Sequence, residues 1–226
     1  ITFKRSFGYK FHEEYALKEI DDFFYLINAK EIGMTRAETE QYCRQRPNES
    51  DANHAARINC IHRFSKFLMD AGYHSFVPRN ITFSSTFVPR IFTQDEMARI
   101  FVATDNLKSL KGSNCHHRAM PVIIRLLYAT GMRSGELVNL TVNDINLKAG
   151  TILIREPKNG KNRRIPVSDS MLEILKGYSV RFNVGVSAKQ YFFRRPNGQP
   201  CNRNAIYRLF RKVLEEAEIP HLGRGG

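Results

Sequence analysis

Apolar residues in the first seventy or so positions recur at helical rather than alternating intervals. Tyr15, Ile20, Phe23, Phe24 and Ile27 share one face, which predicts a helix over residues 12–29. A second helix, over 31–46, contains Thr35 with Glu38 three residues on. In that pattern a hydroxyl and a carboxylate reciprocally satisfy open N–H groups of the first turn. A third helix, from about Asn53 to Ala71, carries Ile58, Ile61, Phe64, Phe67 and Leu68 along one stripe, with Arg57, Arg63 and Lys66 elsewhere and Gly72 as a stop. The next segment, VPRNITFSSTFVPR at 77–90, has two prolines, several hydroxyl residues and no helical period, and reads as an extended linker. A boundary near residue 88 follows, with a helical unit at 1–88 and a second domain at 89–226.

The second domain mixes periods. Thr93 with Glu96 opens a helix, an apolar helix over 116–129 is built on Val122, Ile123, Leu126, Leu127 and Tyr128, and a short helix runs from Ser134 to about Leu140. TILIRE and RRIPV then read as two strands around Asn159-Gly160, the dipeptide suited to a hairpin turn that needs positive φ at both central residues. Further helices are predicted over Asp169–Tyr178 and 202–219. The fold class is therefore mostly α with a small antiparallel β-sheet: an all-helical unit followed by an α+β domain.

Charge separates the two halves. Residues 1–90 hold 13 Lys/Arg against 11 Asp/Glu, net +2, whereas residues 91–226 hold 22 against 11, net +11, which together give the formal +13 of the chain. A domain this positive gathers polyanions, of which nucleic acid is the commonest. An apolar fraction of 42% is enough for real cores and argues against disorder. Four scattered cysteines, with no C-x-x-C pair, suggest neither zinc nor a disulfide scaffold and fit a reducing cytoplasm. The sequence has no signal peptide and no apolar run of about 18 residues. His116 and His117 are adjacent and point apart on a helix, and no nucleotide-binding or metalloenzyme motif occurs, so no metal or other cofactor is implied.

The densest chemistry lies in TGMRSGELVNLTVNDINL, residues 130–147, followed by TILIREPKNGKNRRIPV, residues 151–167. Arg133 follows Thr130 and Gly131 after a long apolar helix, so it should project where two helices meet. A guanidinium suits a pair of phosphate oxygens because its planar fork donates two parallel hydrogen bonds and stays charged. Glu136, three residues on, can hold that fork. An isolated R-x-x-E is more often an ordinary surface ion pair. The whole string decides the matter: it resembles the first conserved block, TG-L-R-x-S-E-L, of the tyrosine site-specific recombinases, the family of phage and transposon integrases.

That resemblance implies that Arg133 clamps the scissile phosphate, with Glu136 as its buttress. It also implies that the hairpin lysine is a general acid protonating the departing 5′ oxygen. Aligning Pro166 with the proline that ends the family's second strand puts Lys158, rather than Lys161, at that position, leaving Lys161, Arg163 and Arg164 as contacts to the DNA backbone. Arg90, Lys66 and Arg57 are further candidate DNA contacts. The family's second block, H-x-x-R, matches HLGR at His221–Arg224 in letters, but its glycine-rich setting differs from a block that opens a helix. Of nine tyrosines, Tyr191 and Tyr207 lie nearest the C-terminus, and both read as core residues. The remaining catalytic His, Arg and nucleophilic Tyr are thus expected beyond Gly226, and a start at Ile1 fits a trimmed fragment.

The implied protein is a bacterial, cytoplasmic, DNA-associated recombinase or integrase of a mobile element. Its expected partners are double-stranded DNA and three further copies of itself, each chain closing as a C-shaped clamp on the duplex. The rival reading is a non-catalytic DNA-binding module using the same basic surface. An RNA-binding protein is more remote, for want of the aromatic or glycine-loop motifs of such modules.

Overall fold

The computed structural model describes residues 6, 14–84, 88–108, 116–155 and 162–220. The chain divides into two compact units, residues 1–88 and 89–226. In the first unit, helices α1 (Glu14–Leu26), α2 (Arg36–Cys43) and α3 (Asp51–Asp70) enclose a small core of Ile20, Met34, Tyr42, Cys60, Ile61 and Leu68. Helix α2 begins at Thr35, whose backbone N–H donates to Glu38 Oε2 at 2.9 Å while Thr35 Oγ1 accepts the Glu38 N–H at 3.3 Å, the expected reciprocal cap. Tyr15, expected on the apolar face, is 74% exposed, because α1 buries the phase centred on Ile20. Residues 77–84 form no regular element, yet they are anchored to α3: Asn59 exchanges two hydrogen bonds with the backbone of Ile81, and a His62 ring nitrogen contacts the Pro78 carbonyl.

The second unit packs α4 (Gln94–Asp105), α5 (His116–Thr130), α7 (Asp169–Phe182) and α8 (Arg203–Glu216) around one core that includes the fully buried Ile100, Met120, Ile123, Leu126, Leu137, Ile152 and Leu175. Between α5 and α7 lie the five-residue helix α6 (Ser134–Val138), a 3₁₀ turn at Val142–Asp144 and a three-stranded antiparallel sheet. Its order is β1 (Ile145–Asn146), β2 (Thr151–Ile154), β3 (Arg163–Pro166). The two longer strands match the sequence pattern; β1 does not show in it, since a two-residue strand leaves no period to detect. Tyr178, Phe192 and Phe193 form an aromatic cluster with centroid separations of 5.0–5.4 Å, which closes the core beside α7.

Candidate active site around Arg133

The TGMR turn is built by helix termination. Gly131 adopts φ +60°, a left-handed conformation that costs glycine no steric strain, and its N–H returns to the Leu127 carbonyl to end α5. Met132 then plugs the core, 4% exposed, and Arg133 takes extended angles as the residue preceding α6. The anchored neighbour therefore turns the Arg133 side chain outward, where it is 65% exposed. The sequence placed this arginine between two helices rather than on an open face. It does sit at the α5–α6 junction, but extended geometry there aims the side chain at solvent.

Glu136 is the buried member of the site, its side chain 9% exposed. It accepts the Arg133 backbone N–H at 2.9 Å and a single contact from Arg133 Nη1 at 3.2 Å. A second arginine grips it harder. Arg163 donates from Nη1 to Oε1 at 3.0 Å and from Nη2 to Oε2 at 2.7 Å, the two parallel bonds of a bidentate pair. The Arg163 fork, joined by both Arg133 contacts, outweighs burial and holds the Glu136 carboxyl down at about 2. Glu136 thus meets Arg133 through the backbone as much as through the side chain, and its main ionic partner is Arg163.

Strand alternation explains why Arg163, its side chain 39% exposed, turns toward Glu136. In the β2–β3 register Arg163 stands opposite Ile154 and Ile165 opposite Ile152, so all four share a face, and both β2 isoleucines are buried. Arg164, opposite Leu153, points the other way and is exposed. A second carboxylate secures the base of the same hairpin. Asp144, 4% exposed, accepts from the Thr141 backbone N–H and hydroxyl and from Arg155 Nε. Burial pushes the Asp144 carboxyl up, but those bonds win and hold it below the ordinary carboxylate range. The sequence pattern by itself indicates neither arginine–carboxylate tie. The alternation of β3 carried the signal for Arg163.

The remaining sequence candidates fall into three groups. Lys158, Lys161, His221 and Arg224 lie outside the described residues. Lys66 and Arg164 are exposed. Arg57 and Arg90 are instead held within the protein. Arg57 is 7% exposed; its fork pairs with both Glu49 oxygens at 2.8 Å and also reaches the Tyr42 and Arg44 carbonyls, which corrects the reading of it as a surface DNA contact. The reason is phase, since Arg57 precedes the fully buried Ile61 by one helical turn. Arg90 binds Glu96 and the Pro220 carbonyl, so its fork is likewise occupied.

One more arginine joins the neighbourhood. Arg203, in the first turn of α8, places Nη1 3.5 Å from the point a Cβ on Gly135 would occupy, beside the turn that carries Arg133. Tyr207, expected in the core, is 50% exposed, because α8 buries the phase of Ile206, Leu209 and Val213. Among the described residues no group of three or more His, Cys, Asp or Glu side chains could hold a metal ion, and no helix is long and apolar enough to cross a membrane.

Comparison with known proteins decides the family. The model of the phage integrase family matches residues 90–223, more than half of the chain. The chain belongs to the phage integrase family. A probable integrase/recombinase protein of Methanocaldococcus jannaschii is 37% identical over 103 residues, covering 44% of this chain and 31% of that protein. Tyrosine recombinase XerD of Staphylococcus saprophyticus is 28% identical over 179 residues, 76% of this chain and 58% of the relative. Tyrosine recombinase XerA of Pyrococcus furiosus is 34% identical over 106 residues, 44% of this chain and 36% of that protein, so the match spans only about a third of the length of the archaeal relatives. The Tn1549 transposon integrase, solved in complex with a circular intermediate DNA, shares the fold with a TM-score of 0.68 at 13% identity, over 97% of this chain and 77% of that one. The mostly helical integrase fold with its small antiparallel sheet is therefore that of this chain.

Proposed function

We propose that this chain carries the phosphate-binding core of a site-specific DNA recombinase, an integrase of a mobile element. In the full-length protein a tyrosine passes its phenolic proton to the histidine of the second block as its oxygen attacks the scissile phosphorus, a 3′-phosphotyrosyl bond forms, and the bond to the 5′ oxygen breaks. Arg133 donates to the non-bridging oxygens, whose charge grows as the phosphorus becomes five-coordinate. Lys158 gives its proton to the departing 5′ oxygen. Attack by a 5′ hydroxyl of the partner strand reverses these steps, so bond energy is kept in the phosphotyrosine and no nucleotide cofactor is consumed. Double-stranded DNA is the substrate, engaged by the basic second unit and by Lys66 and Arg164, and four copies on two sites exchange strands.

One observation carries this reading most: in the family's first block, Arg133 is a mostly exposed arginine whose backbone is fixed by Glu136 while its guanidinium, among the described residues, makes one long contact. The test is a nicked suicide duplex bearing the element's end sequence, incubated with full-length protein. Accumulation of a covalent protein–3′-phosphate adduct is the expected result. Tight, salt-sensitive binding with no adduct under any condition would favour a DNA-binding module instead.

A further inference from the structure

Glu136 is shared between two arginines, and it is shared unequally. Arg163 makes two side-chain bonds at 2.7 and 3.0 Å; Arg133 makes one at 3.2 Å and leaves about two-thirds of its side chain in solvent. A carboxylate as enclosed as Glu136 has to be neutralised by a nearby cation, because desolvating an unpaired charge is strongly unfavourable. Were Arg133 the only cation present, turning it toward an anionic ligand would strip Glu136 of its counter-charge, and the carboxylate would hold Arg133 back. With Arg163 in place, Arg133 can leave Glu136 by giving up its one long side-chain bond to that carboxylate.

We propose that Arg163 is a positioning residue: by neutralising Glu136 in a bidentate pair, it keeps the Arg133 guanidinium available for a phosphodiester. This rests on the reading of Arg133 as the phosphate clamp, and it assigns Arg163 a task other than contacting DNA. It also explains why the first block and the hairpin are tied at this point. Glu136 needs a second cation that does not itself go to the substrate, and the face of β3 shared with Ile152 and Ile154 supplies one from 27 residues away.

The test uses inorganic phosphate and needs no cleavage. Phosphate is titrated into the 226-residue chain while the Arg133 side-chain Nε–H resonance is followed, in the wild type, Arg163→Gln, Arg163→Lys and Arg163→Gln/Glu136→Gln. Expected are a loss of phosphate affinity of about five-fold or more in Arg163→Gln, most of it regained in Arg163→Lys, and relief of the defect in the double variant, where no carboxylate remains to compete. Wild-type affinity in Arg163→Gln, or a double variant weaker than Arg163→Gln alone, would overturn the proposal. Should Arg163→Gln not fold, the comparison moves to Arg163→Lys: wild-type affinity supports charge neutralisation, and a five-fold loss overturns it. Absence of DNA cleavage by full-length protein would count against the recombinase reading and leave these phosphate outcomes standing.

Discussion

Arg163 and Glu136 lie 27 residues apart in the chain and meet through two parallel hydrogen bonds, at 3.0 and 2.7 Å. The pair joins the turn that presents Arg133 to the inner face of the β2–β3 hairpin, and its charge state should be visible in the acid limb of stability. The Arg163 fork holds the Glu136 carboxyl at about 2 in the folded protein, below its ordinary value of 4.5. Because the folded value is the lower one, the stabilisation is fully present above about pH 4.5 and is lost as pH falls toward 2. In Glu136→Gln this acid-dependent loss is reduced. Melting temperatures of the two proteins should converge on acidification from pH 6 to pH 3; a constant gap would mean that Glu136 is not paired in the folded state.

Buried and exposed cations should separate cleanly. Arg57→Ala leaves Glu49 enclosed without its partner and should cost about 3–5 kcal/mol, the usual penalty for breaking a buried pair, measured by denaturant unfolding. Lys66→Ala or Arg164→Ala should change stability by less than about 0.5 kcal/mol. Each should instead reduce the slope of log affinity for duplex DNA against log salt by about one, over roughly 50–200 mM. A stable Arg57→Ala protein with a reduced salt slope would return Arg57 to the DNA-binding surface.

Much of the fold is legible in the sequence because helices declare themselves by period and caps. Thr35 with Glu38 and Thr93 with Glu96 mark two helix starts, and both form as reciprocal caps. The side-chain chemistry was harder to see, since it depends on which face a residue joins. Arg57 looks like one of three basic residues on an outer face, yet its spacing from Ile61 puts it inside. Arg163 and Arg164 look equivalent until β3 is paired with β2, whereupon one is turned to Glu136 and the other to solvent. The Asp144–Arg155 tie and the approach of Arg203 to Gly135 involve residues 11 and 68 positions apart, and no local period encodes such meetings.

Lys158 can be examined through the leaving group. A general acid matters most when the departing oxygen is a poor leaving group. In full-length protein, Lys158→Ala should abolish cleavage of an ordinary phosphodiester and spare much of the reaction on a 5′-bridging phosphorothiolate, whose thiolate departs without a proton. Lys161→Ala should slow both substrates modestly, through a lost backbone contact. Rescue by sulfur of Lys161→Ala in place of Lys158→Ala would move the acid to Lys161.

The most direct test of the central claim is single-turnover cleavage by full-length protein carrying Arg133→Lys, measured beside its affinity for the uncleaved site. Lysine keeps the charge but loses the planar fork. Cleavage should fall by about 100-fold or more, as when a preorganised donor to a developing oxyanion is removed, with binding changed by less than about three-fold. Cleavage at the wild-type rate, or a loss of binding in proportion to the loss of cleavage, would contradict the assignment of Arg133 as the phosphate clamp.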